Sequence, residues 1–104
     1  MKKNDIKILL VDDEADILEI VGYNLSSEGY QVTTAKNGVE AIEKAKKYKP
    51  QLIILDVMMP EMDGIEACEK LRGIPDLSNT IITFLTARGE DYSQVAGFDA
   101  GADD

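Results

Sequence analysis

Two apolar runs in this sequence end in carboxylates, and that placement carries more chemistry than anything else in the chain. Lys7-Ile-Leu-Leu-Val11 leads straight into Asp12-Asp13, and Leu52-Ile-Ile-Leu55 into Asp56. A further run, Thr80-Ile-Ile-Thr-Phe-Leu85, ends at the hydroxyl of Thr86. Aspartates offer hard oxygen donors, and three of them held close repel one another unless a cation lies among them. The chain has no histidine, and its one cysteine, Cys68, falls at helical spacing as a core residue would. Oxygen is then the donor on offer, and Mg²⁺ or a similar hard ion is the expected cofactor. Absence of histidine also removes Ser-His-Asp and Cys-His nucleophile schemes.

Each residue has a plainer explanation. Asp13 suits the N-cap of a following helix, Thr86 likewise, and Asp56 suits a turn ahead of Pro60. Met58 and Met59 read as packing. Taken singly, the plain explanations win. Taken together they do not, because every one of these groups stands at the C-terminal end of an apolar run.

The elements that must position them follow from periodicity. Lys7–Val11 reads as a buried strand, and Ala15–Leu25 as an amphipathic helix through Ile17, Leu18, Ile20, Val21 and Leu25, with Asp16 in its first turn. Tyr30–Ala35 alternates like a strand. Asn37-Gly38 then turns the chain into a helix over Val39–Lys47, with Ala41, Ile42 and Ala45 inward, and Lys49-Pro50 stops it. Leu52–Leu55 is the next buried strand, and Gly64–Leu71 the next helix, with Ile65, Ala67, Cys68 and Leu71 inward. Thr80–Leu85 reads as a fourth strand and Asp91–Ala100 as a fourth helix ending at Gly101.

Strand and helix alternate throughout, so the expected fold is α/β: a three-layer, doubly wound parallel sheet with helices on both faces. In such sheets the ligand site lies at the C-terminal strand ends. Asp56 stands at a strand tip because the tip is where the chemistry goes. If the first and third strands are neighbours, Asp12, Asp13 and Asp56 converge.

Bulk properties narrow the function. The 104 residues are expected to form one domain, residues 1–104, and a 44% hydrophobic content suits a packed core. Eleven basic against 20 acidic residues give a net charge of −9, which repels phosphate backbones, so direct nucleic-acid binding is not expected. No apolar run is long enough for a membrane span, and no signal-peptide pattern follows Met1-Lys2-Lys3. With a single cysteine besides, a cytoplasmic location is expected.

Four segments carry a resemblance: Val11-Asp12-Asp13-Glu14, Leu55-Asp56-Val-Met-Met-Pro60-Glu-Met-Asp63-Gly64, Leu85-Thr86-Ala87, and Gly97-Phe-Asp-Ala-Gly101-Ala-Asp103-Asp104. In this order, and over nearly the whole chain, they resemble the receiver (phosphoacceptor) domain of two-component response regulators. The resemblance implies a flavodoxin-like sheet of order 2-1-3-4. It makes Asp56 the phosphoacceptor, Asp13 a direct Mg²⁺ ligand and Asp12 an outer-shell one, with the Met58 backbone carbonyl completing the metal site. Thr86 becomes the hydroxyl that senses the phosphoryl group, while Pro60 and Gly64 shape the loop. The implied donor is the phosphohistidine of a sensor histidine kinase, and the implied output in a longer protein is a DNA-binding transcription regulator.

The family pattern continues past Asp104 into a fifth strand, a lysine and a last helix, so the domain is expected to be incomplete at its C-terminus. Thr80–Leu85, β-prone, uncharged and free of proline, would then be a sheet edge and favour self-association. Three other readings compete. An aspartate-based phosphohydrolase resembling the haloacid dehalogenases needs a second acid where Met58 stands. A flavodoxin-like flavin carrier needs a hydroxyl- and Gly-rich loop where Asp12-Asp13-Glu14-Ala15-Asp16 stands. The last is a chemically silent interaction fragment.

Overall fold

The computed structural model describes residues 2–57, 59 and 62–85. Strands β1 (Lys7–Val11), β2 (Gln31–Ala35), β3 (Leu52–Leu55) and β4 (Ile81–Phe84) pair in parallel in the order β2-β1-β3-β4. Between them run α1 (Ala15–Ser27), α2 (Gly38–Tyr48) and α3 (Gly64–Arg72). This is the expected doubly wound α/β sheet with its expected order. The helix expected over Asp91–Ala100 lies outside the described residues, as do Met58, Pro60 and Thr86.

Register decides what the sheet can position. Val11 pairs with Ala35 on one side and Leu55 on the other, and Leu55 pairs with Phe84. The strands therefore end level, and the residues that follow them emerge side by side.

On one face of the sheet Leu9, Val11, Ile53, Leu55 and Ile82 pack against Ala41 and Ala45 of α2 and Ala67, Cys68 and Leu71 of α3. Small alanines at the contact let the helices lie close to the strands. Helix α1 lies on the other face, where Gly22 approaches the Val32 and Thr34 side chains of β2. Gly22 is the one buried residue of α1: Ile17, Leu18, Val21 and Leu25 are half-buried and Ile20 is 60% exposed.

Two strands start one residue later than periodicity suggests, for a shared reason. The Tyr30 N–H donates to the Leu25 carbonyl at the end of α1, at 3.3 Å. The Thr80 N–H donates to the Leu77 carbonyl at 3.1 Å, closing a 3-10 turn over Pro75–Leu77, and its hydroxyl donates to the Pro50 carbonyl at 2.8 Å. In each case the preceding turn has taken the donor that the strand would use. At the end of α2, Lys49 adopts the left-handed conformation (φ 50°) ahead of Pro50, which ends the helix as expected.

Candidate functional site

Level strand ends put Asp12 beside Asp56. The Asp12 N–H donates to the Ala35 carbonyl at 3.1 Å and the Asp56 N–H to the Val11 carbonyl at 2.9 Å. Sheet hydrogen bonding therefore continues one residue past each strand and holds both aspartates. Carboxylate oxygens from Asp12, Asp13 and Asp56 all lie within 4.8 Å of one another. Asp12 and Asp56 are buried, at 4% and 3% exposure, whereas Asp13 is exposed. The site thus has two buried acids as its floor and one acid open to solvent at its rim.

Asp12 is oriented by the start of α1: its Oδ1 accepts the Glu14 N–H at 2.8 Å, a local turn typical of aspartate. The expected N-cap role of Asp13 is not what the structure shows. Glu14 holds the cap position and makes no side-chain cap bond, while the Asp13 carboxylate joins the acidic cluster. The physical reason lies next door. The side chain that could cap is needed among the other carboxylates, and Asp12 already engages the first free N–H.

On the other side α3 presses against Asp56. A Cβ on Gly64 would lie 2.2 Å from the Asp56 carbonyl oxygen and 2.9 Å from the Val57 Cα, so only glycine fits there. The Gly64 N–H donates to the Val57 carbonyl at 3.0 Å, and the Asp63 side chain caps α3 by accepting the Glu66 N–H at 2.9 Å. The family resemblance implied a loop-shaping role for Gly64. The structure adds a steric one that a glycine after a capping aspartate does not reveal by itself.

Of the residues singled out in the sequence, Asp12, Asp13 and Asp56 are brought together, and Met58 and Thr86 lie outside the described residues. The donor set is oxygen only, from carboxylates of two neighbouring strand ends, and it fits a hard divalent cation. A cation among them would relieve the mutual repulsion of acids held this close. No helix among the described residues is long and apolar enough to cross a membrane.

Comparison with known proteins agrees with this geometry. The family model for the response regulator receiver domain matches residues 8–104. The alkaline phosphatase synthesis transcriptional regulatory protein PhoP of Bacillus subtilis is 49% identical over 98 residues, which cover 94% of this chain and 40% of that protein. The transcriptional regulatory protein ResD of the same organism is 46% identical over 101 residues, covering 97% of this chain and 41% of that protein. The chain thus spans about 40% of the length of these curated relatives. Among solved structures, chemotaxis protein CheY4 of Vibrio cholerae superposes with a TM-score of 0.89 at 37% identity, over 93% of this chain and 81% of that one.

Proposed function

The chain belongs to the response regulator receiver domain family, and from that premise we propose that Asp56 accepts a phosphoryl group from the phosphohistidine of a sensor histidine kinase. The convergence of Asp12, Asp13 and Asp56 at the ends of β1 and β3 carries this reading. A carboxylate oxygen of Asp56 attacks phosphorus, the P–N bond breaks, and the imidazole leaves with its electron pair. The product is an acyl phosphate on the protein, and the same site returns it slowly to water.

Asp13 would ligate Mg²⁺ directly and Asp12 through its outer shell, with Asp56 and the Met58 carbonyl as further ligands. When bound, Mg²⁺ supplies positive charge between the carboxylates and the incoming phosphoryl oxygens. Asp12 and Asp56 contribute fixed position, since both hang from sheet hydrogen bonds. The Thr86 hydroxyl would donate to the new phosphoryl group.

The acceptor is a signalling module, and its phosphorylated form would control an output in a longer cytoplasmic protein. The regulatory names of PhoP and ResD favour a DNA-binding output, contacted by another segment because this chain carries a net charge of −9. On this reading residues 1–104 all belong to the receiver unit. Incubation with acetyl phosphate and Mg²⁺ should yield a phosphoprotein labile to hydroxylamine, not formed when a chelator is present from the start and absent in Asp56→Asn. A hydroxylamine-resistant phosphate, or one retained in Asp56→Asn, defeats the reading.

Strand β4 is an edge of the described sheet and leaves Ile81 53% exposed, which supports self-association through that edge. Sedimentation at several concentrations should show a mass that rises with concentration, and a constant monomer mass counts against it.

A further inference from the structure

Helix α2 opens on Gly38, although its backbone there does not need glycine. Among the described residues positive φ occurs at Gly29 and Lys49 and not at Gly38. Alanine would ordinarily serve a helix better than glycine does. What glycine supplies at Gly38 is room. A Cβ built on it would stand 2.7 Å from Met62 Sδ, 2.8 Å from Met62 Cγ and 3.0 Å from Met62 Cβ. The Sδ and Cγ distances are shorter than real Cβ atoms show, so Met62 must shift to admit a methyl group.

Met62 belongs to the segment that joins β3 to α3, between Asp56 and the capping residue Asp63. Its side chain packs on the core cluster that includes Ala41 and Ala45 of α2. The described residues Asp56, Val57 and Gly64 are held by backbone contacts. The Asp56 N–H is held by the Val11 carbonyl, the Gly64 N–H by the Val57 carbonyl, and Gly64 lies against the Asp56 carbonyl with no room for a methyl group. A push on Met62 in such close packing is passed along rather than absorbed.

We infer that Gly38 is a positioning residue for the acidic site: its bare Cα is the seat for Met62, and the seated Met62 holds the neighbouring Asp63 and Gly64, the latter braced against the Asp56 carbonyl. This rests on the Mg²⁺ and phosphoacceptor reading of Asp12, Asp13 and Asp56. Gly38 acts on these side chains through Met62.

The test is a double-mutant cycle over Gly38→Ala, Met62→Ala and both together, with Mg²⁺ affinity read from the amide signals of Asp12, Asp13 and Asp56. Gly38→Ala should weaken Mg²⁺ binding about tenfold, the scale of lost outer-shell support. In the Met62→Ala background, where Sδ and Cγ are gone and the Cβ alone remains in tight contact, the same substitution should change affinity by less than about twofold. Parental affinity in Gly38→Ala overturns the inference, and so does an equal loss in both backgrounds. If Gly38→Ala does not fold, the double variant decides: unfolding like Met62→Ala supports the seat, and failing to fold overturns it. If the parent shows no Mg²⁺ binding that Asp13→Ala weakens, it is the reading of the site that has failed. The metal-free amide shifts of Asp56, Val57 and Gly64 then carry the cycle, and should move on Gly38→Ala only when Met62 is present.

Discussion

Helices α2 and α3 start behind side-chain caps: Asn37 accepts the Glu40 N–H at 2.8 Å, and Asp63 accepts the Glu66 N–H at 2.9 Å. Helix α1 starts behind Glu14, which makes no such bond, although Asp13 stands immediately before it. The first helical residues differ in the same way. They are glycines in α2 and α3, each pressed against a neighbouring segment, and an alanine in α1. A capping side chain is worth about 1 kcal/mol to a helix, and α1 forgoes it. The difference shows where local stability has yielded: the aspartate nearest the start of α1 serves the acidic cluster instead.

The largest effect expected from this contrast is at Gly64. Gly64→Ala places a methyl against a backbone oxygen that no side-chain rotation can move, and should cost about 1–3 kcal/mol, the usual range for overpacking. Urea unfolding measures it. An unchanged midpoint would mean that α3 can retreat from Asp56 freely. Next come the caps themselves. Asn37→Ala and Asp63→Ala should each lose about 1 kcal/mol, seen as a lower midpoint at constant slope. Asp13→Ala should be the mildest, within about 0.5 kcal/mol of the parent without Mg²⁺. The midpoint gain that Mg²⁺ gives the parent should vanish in it. A loss at Asp13 as large as that at Asn37 would break the contrast and return Asp13 to an ordinary capping role.

Much of this was readable from the residues. Apolar runs at Lys7–Val11 and Leu52–Leu55 are strands with those very bounds, since a strand buried on both faces leaves little else for such runs to be. Parallel order then forced Asp12 and Asp56 together. Local competition was not readable. Nothing in Tyr30 or Thr80 announces that its N–H belongs to the preceding turn, though Pro75 at the head of the 3-10 turn was an available sign. The capping preference of Asp13 is a rule about neighbours in sequence, and it lost to a contact made across two strands. The room that Gly38 leaves for Met62 is likewise invisible in sequence, because those residues meet only once α2 and the β3–α3 segment are folded.

Backbone bonding beyond the strand ends has a consequence in time. Asp12, Asp56 and Leu85 donate to the Ala35, Val11 and Leu55 carbonyls at 3.1, 2.9 and 2.7 Å, so their amide protons are locked by the sheet itself. Such protons exchange with solvent only when the cooperative unit that holds them opens. The Asp12 and Asp56 amides should therefore exchange as slowly as those of Leu10 and Ile53, and the Glu14 amide, held only by a side chain, much sooner. Fast exchange at Asp56 in native conditions would contradict this. The acidic floor keeps the lifetime of the sheet: with closed-to-open ratios on the order of 10³ or more for stable domains, its carboxylates stay anchored to a closed backbone for nearly all of the time in which anything enters or leaves the site.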